Sequence, residues 1–404
     1  MHSLVWFLFI ISSTLLASAQ GRQSNYYNVV DLGAKADGRT DSTKAFLHAW
    51  AKACASSHPS TIHVPPGSYL LSQIVFAGPC RNHAISIQLE GRLVPPSNYA
   101  TVSTSSHWLL FHTVRGVSIY GGTLDGRGSG LWACKASQRS DCPEGVASLT
   151  FNNAEDIEIS GLESINSQLY HIVINGCRNV VMNGVGARAP GNSPNTDGIH
   201  VQKSTGVKIT RSVIKTGDDC ISIGPGTQNL RIRNIACGPG HGISIGSLGK
   251  SLNEEGVQNV TVKSVVFTGT QNGLRIKAWP RPSNGFVKGV VFEHAIMRNV
   301  RNPIIIDQHY CIGKHKCPPL NSGIKISHVT YRDIQGSSAT VTAVKFDCSA
   351  SNPCTGIQLK DVKLTYHGRR RNKHNTLAQS SCKNVRGKAS GVVMPSGCLY
   401  KDKS

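Results

Sequence analysis

The stretch Ile157-Glu158-Ile159-Ser160-Gly161-Leu162 is echoed 23 residues later by Val180-Val181-Met182-Asn183-Gly184-Val185. The shared pattern is apolar-x-apolar-x-x-apolar. Its first two apolar residues have the period of a strand with one buried face, and the third marks a bend into a second short strand. It returns at Leu230, Ile232, Ile235, at Val260, Val262, Val265, and at Val290, Phe292, Ala295. Ile324, Ile326, Val329 and Ile357, Leu359, Val362 continue it, and imperfect copies start at Val117 and Val207. From 157 onward the starts are 23, 27, 23, 30, 30, 34 and 33 residues apart. Short strands with Gly and Asn turns at this interval predict an all-β, single-domain parallel β-helix, one coil per repeat. The length beyond about 23 residues goes into loops, which build a cleft or wall on one side. An antiparallel sandwich is the alternative, and it calls for tight hairpins rather than one recurring strand motif.

Upstream of the repeats, Tyr27 to Leu32 reads as a strand. Asp41 is placed to cap a helix with Ala45, Phe46, Ala49, Trp50 and Ala53 on one face, suited to covering the first open end of the solenoid. Ile62-His63-Val64, Tyr69-Leu70-Leu71 and Ile85-Ser86-Ile87 read as further strands. Few stretches after residue 55 have a helical period.

The chain has 404 residues. Leu4 to Leu16 is a short apolar run, and Ala17-Ser18-Ala19 is a small-x-small cleavage signal, so residues 1–19 read as a signal peptide and 20–404 as the folded domain. The run is too short to span a membrane comfortably. Thirteen cysteines then predict disulfides. Close pairs are Cys134 with Cys142, Cys220 with Cys237, Cys311 with Cys317, Cys348 with Cys354, and Cys382 with Cys398. Cys54 with Cys80 makes a sixth pair and leaves Cys177 over. No CxxC occurs to favour a metal.

The formal charge of +21 on a secreted chain calls for a polyanion. No nucleic-acid module or aromatic-interleaved basic motif is present. An acidic extracellular polysaccharide is the expected partner, with simple solubility as the bland alternative. The segment from His367 to Asn375, with Arg369-Arg370-Arg371, reads as a solvated basic loop.

Four polar clusters interrupt the repeats: Asn195-Thr196-Asp197, Gly217-Asp218-Asp219, Gly240-His241-Gly242 and Arg275-Ile276-Lys277. Asp197, Asp219 and His241 are 22 and 22 residues apart, close to one coil, so they stack at roughly the 4.8 Å strand spacing. Alone, each acidic cluster reads equally as a turn, and His241 as a structural histidine. Together they predict three carboxylates and an imidazole on one patch. Adjacent acids face one cleft only where the strand breaks, which Gly217 permits. Like charges this close raise one carboxyl's pKa, which glycoside hydrolysis exploits. Arg275 and Lys277 share a strand face while Ile276 points inward, and the two cations are placed to hold an anionic sugar.

These motifs resemble those of the polygalacturonases, pectin-hydrolysing glycoside hydrolases, and in particular the plant-type members. The resemblance runs through residues 193–200, 217–223, 237–246 and 275–277, with Asp31-Leu32-Gly33-Ala34 and Gly122-Thr123-Leu124-Asp125-Gly126 besides. It implies a right-handed parallel β-helix and inverting hydrolysis of α-1,4-galacturonan, with no metal and no cofactor. By position it makes Asp218 the general acid, with Asp197 and Asp219 activating water. His241 then tunes that ionisation, and Arg275 and Lys277 bind substrate carboxylates. Tyr310, in Asp307-Gln308-His309-Tyr310-Cys311, matches a subsite tyrosine. A monomer in the extracellular space and cell wall follows, with no nucleic acid or membrane partner. A pectate lyase on the same fold and a non-catalytic pectin-binding wall protein are the alternatives. The lyase calls for a calcium-binding acidic cluster, which is not evident among the 22 acidic residues. Asn259-Val260-Thr261 is the one N-glycosylation sequon.

Overall fold

A computed structural model describes residues 24–102, 105–311, 317–318, 320–367 and 377–401. The signal segment and all but His367 of the basic loop lie outside these residues.

Every strand pairing among the described residues is parallel, which removes the antiparallel sandwich. Strands from successive coils stack into an 11-stranded sheet and a second, 21-stranded one that wraps the remaining sides. The first runs from Ile74–Ala77 at the N-terminal end to Gln379–Lys383 at the other. The interior is made of ladders. Ile172, Ile199, Ile221 and Ile243 occupy one register position on four consecutive coils, and all are fully buried. Each such side chain gains roughly 1.5–3 kcal/mol from burial. Phe76, Phe111 and Phe151 form a stacked ring ladder with centroids 4.6 and 4.8 Å apart. The recurring pattern is explained by the same interior: Ile157, Ile159 and Leu162 are buried, as are Val180, Met182 and Val185.

The helix α1 (Thr43–Ala55) buries the expected face of Ala45, Phe46, Ala49, Trp50 and Ala53. Trp50 packs on Phe76 and Phe111, and its indole N–H donates to the Ala77 carbonyl at 3.0 Å. The cap position is Ser42 rather than Asp41, but the Asp41 carboxylate still accepts the Thr43 N–H at 2.8 Å. The first strand is shorter than expected, Asn25–Asn28, because residues 29–33 turn. A second helix, α2 (Ser129–Ala136), went unread: it is short, and only Leu131 is buried.

All six expected disulfides are formed, and Cys177 is a buried free thiol. The described residues include no helix long and apolar enough to cross a membrane.

Candidate active site

The acidic patch lies where three successive coils enter the 11-stranded sheet. Ile199 pairs with Ile221 and Ile221 with Ile243, so residues 22 apart stand in register. The bends just before these strands therefore carry Asp197, Asp219 and His241 at equivalent places. Residues 217–219 are outside any strand, as adjacent acids sharing a cleft require. Gly217 is needed for close approach: a Cβ there would stand 2.0 Å from the Ser193 carbonyl oxygen. Its N–H donates to the buried Thr196 hydroxyl, which ties this bend to the one bearing Asp197. Gly242 sits at φ +91° with its Cα facing the Asn272 carbonyl, so the glycine on that side of His241 serves a neighbouring coil.

Asp218 and Asp219 are adjacent but differ in surroundings. Asp218 keeps about a fifth of its side chain exposed. Its Oδ1 accepts the Asp219 N–H at 2.8 Å and lies 3.0 Å from His241 Nδ1. The His241 main-chain N–H also donates to the Asp218 carbonyl, at 2.7 Å. Asp219 is buried, with Oδ1 accepting from Arg275 Nη2 at 2.7 Å and Ser244 Oγ at 2.8 Å, and Oδ2 from Lys277 Nζ at 2.9 Å. Burial opposes its charge, but Arg275 and Lys277 outweigh that and bring its pKa down to about 2. Asp197 is also buried and, among the described residues, forms no ion pair. Burial, then the charges of Asp218 and Asp219, raise its pKa well above the ordinary aspartate value, with partial relief from the Ser222 hydroxyl. The carboxyl of the patch with the raised pKa is thus Asp197, whereas the resemblance gives the proton-donating role to Asp218.

Arg275 and Lys277 point out of the strand Asn272–Ala278 while Ile276 joins the core, as read from their spacing. Both are about nine-tenths buried, and their nearest anion is Asp219 rather than open solvent. Tyr310 lies over them, its ring centroid 5.2 Å from Lys277 Nζ and 5.9 Å from the Arg275 guanidinium carbon. The seven expected site residues therefore gather in one place. Asn259 is elsewhere, exposed on the strand Val257–Thr268 of the larger sheet, its amide N–H donating to Asn229.

Three contributors went unread. Ser244 joins the Arg275 Nε–H, at 2.8 Å, to Asp219. Ser222 lies beside Asp197 and is 2.7 Å from His200 Nδ1. His200 stacks on Tyr170 at 5.0 Å, and burial lowers its pKa to about 4, so it is neutral. His200, Ser222 and Ser244 are themselves 22 residues apart, the same interval that exposed the acids. Asp218, Asp219 and His241 each have a ligand atom within 4.8 Å of the others. A cation there would have to displace the three donors that already satisfy Asp219.

Comparison with known proteins matches residues 54–391 to the family model for glycosyl hydrolases family 28. A polygalacturonase from Prunus persica is 57% identical over 97% of each chain. An exopolygalacturonase from Arabidopsis thaliana is 40% identical over 91% of this chain and 81% of its own. Among solved structures, an endo-xylogalacturonan hydrolase from Aspergillus tubingensis shares the fold, with TM-score 0.76 at 23% identity, over 90% of this chain and all of the other. Endopolygalacturonase I from Stereum purpureum aligns with TM-score 0.67 at 21% identity, covering 85% and 98%. The coil register, the buried acids and these matches have one reading: the chain belongs to glycosyl hydrolases family 28.

Proposed function

We propose that the protein is a secreted polygalacturonase that hydrolyses α-1,4-galacturonosyl linkages of pectin with inversion. The observation that carries this is the division of labour among three carboxyls on one patch. Asp218, the acid with an open approach, donates its proton to the glycosidic oxygen as the bond from that oxygen to the anomeric carbon breaks. Water attacks the same carbon from the opposite face and passes a proton to a carboxylate. Asp197 is the acceptor in its ionised form, reached only above its raised pKa, and that raised pKa makes it the stronger base. Asp219, held ionised by Arg275 and Lys277, positions the water. His241 orients Asp218 through its 3.0 Å contact. Tyr310, over the two cations, offers a wall for the sugar bound beside them.

The substrate is the acidic polymer that the +21 charge favours. Six disulfides support an oxidising compartment and hence the cell wall. We read the molecule as a monomer, with Asn259 as its glycan acceptor.

The test combines de-esterified polygalacturonate, a chelator and parallel readings of reducing ends and unsaturated-product absorbance. Reducing ends without absorbance are expected, with the β-anomer seen first by NMR. Absorbance rising together with reducing ends would mean elimination and would overturn the acid–base scheme. Asp218→Asn should lower kcat by roughly 10²–10⁴-fold while polymer binding persists. A variant that still turns over normally removes Asp218 from its role.

A further inference from the structure

On the hydrolytic reading the polymer lies across the outer face of the 11-stranded sheet, and the two halves of that face differ in charge. On the five N-terminal strands, Val75, Leu110, Thr150, Val173 and His200 form one outward row in register. Ala77, His112, Asn152, Asn175 and Gln202 form the second. Neither row holds a carboxylate, ammonium or guanidinium group; of the two imidazoles, His200 is kept neutral by burial, and His112 has its Nδ1 3.3 Å from the Asn152 amide nitrogen. Four strand intervals at roughly 4.8 Å make this floor about 19 Å long. Beyond the acids the same rows become Arg275, Ile305 and Lys345 beside Lys277, Asp307 and Asp347.

Cations flank this half rather than line it: Lys250 acts on His200 at the end beside the acids, and Arg81 shares a concavity with Val75 and Ala77 at the other. Lys135 Nζ donates to the Glu144 carbonyl, Arg139 pairs with Asp141, and Arg127 donates to the Pro95 carbonyl. Lys203 is exposed past the end of the strand Ile199–Gln202. A uronate carboxylate pressed onto Leu110 or Val173 loses hydration without gaining a counter-charge. A methyl ester removes that charge and adds apolar contact.

We propose that the N-terminal half of the groove accepts methyl-esterified galacturonosyl units, and that dependence on free carboxylates is confined to the side of Arg275 and Lys277. This rests on the hydrolytic reading given above. The protein is an enzyme that tolerates ester on one flank of the scissile bond only. Thr150 and Val75 set this tolerance by leaving the floor uncharged.

The experiment digests a randomly half-esterified pectin alongside de-esterified polygalacturonate and sequences the new chain ends by tandem mass spectrometry. Esterified units next to one of the two new ends, and free acids next to the other, are the expected result. Thr150→Lys, and Val75→Lys at a position 44% exposed, should each lower the ratio of activity on esterified to de-esterified polymer. The change expected is roughly two- to fivefold, the scale of one exposed ion pair. Cleavage of polygalacturonate with ester excluded from both flanks overturns this inference alone. So does an unchanged ratio in both lysine variants. No new reducing ends from polygalacturonate overturns the hydrolytic reading and this inference with it.

Discussion

Asp197 and Asp219 occupy equivalent places on consecutive coils, and both are buried. Their chemistry is opposite. Asp219 receives two cations and a hydroxyl from the next two strands of the sheet. Asp197 faces Ser222 and the charges of the other two acids. In a stacked fold, backbone position repeats from coil to coil, but the electrostatic surroundings of a side chain come from its neighbours along the stack. One sequence interval therefore yields an acid held ionised and an acid that holds its proton.

The most severe way to break this contrast is Asp219→Asn. It leaves Arg275 and Lys277 buried without an anion, and a loss of about 3–5 kcal/mol is expected, read as a lower urea midpoint at neutral pH. The sign with pH follows from the depressed pKa. Asp219 stabilises the fold fully above its unfolded value of 3.8, and that contribution fades as pH falls towards about 2. The wild type should lose stability over this window relative to the variant. A variant as stable as the wild type at neutral pH would show that the cations find another partner.

Asp197→Asn sharpens the contrast from the other side. Its folded pKa is raised, so its contribution is fully present below 3.8 and is lost as pH rises through the raised value. The variant should match the wild type in acid and exceed it at neutral pH. Activity should drop by roughly 10²–10⁴-fold, the scale of a lost general base, while the acid limb of the wild-type pH–rate profile lies above that of an ordinary aspartate. Equal stability differences at both pH values would contradict the account.

Ser244→Ala is the gentlest probe. It removes the hydroxyl between Arg275 and Asp219 but leaves both ion pairs, so about 1 kcal/mol should be lost. The rate should change less than the affinity for short oligogalacturonates.

Much of this is legible in the sequence. The 22-residue interval identified the acids because the turns between residues 197 and 241 have constant length. Arg275 is 34 residues past His241, since residues 249–256 form an inserted turn, so spacing alone did not reveal that it reaches Asp219. A sequence shows the charge of Arg275 and Lys277 but not the Asp219 carboxylate that occupies it. Ser222 and Ser244 share the 22-residue interval of His200, but a serine on a strand announces no chemistry by itself. Asp41 and Ser42 are both good caps, and only the backbone geometry at Ser42 separates them. The helix α2 lacks an apolar period because it covers the surface with Leu131 alone.

The coils that carry the candidate site lie in the middle of the stack, with five strands of the 11-stranded sheet before residue 221 and five after residue 223. Each coil is held chiefly by the two beside it, so such a fold frays from its extremities inward. Opening at the C-terminal strands Gln379–Lys383 and Val385–Met394 is expected to expose backbone to a protease before the bend at Asp218 loosens. A nick between Cys382 and Cys398 would leave both ends joined by that disulfide, with the candidate site five strands away along the sheet.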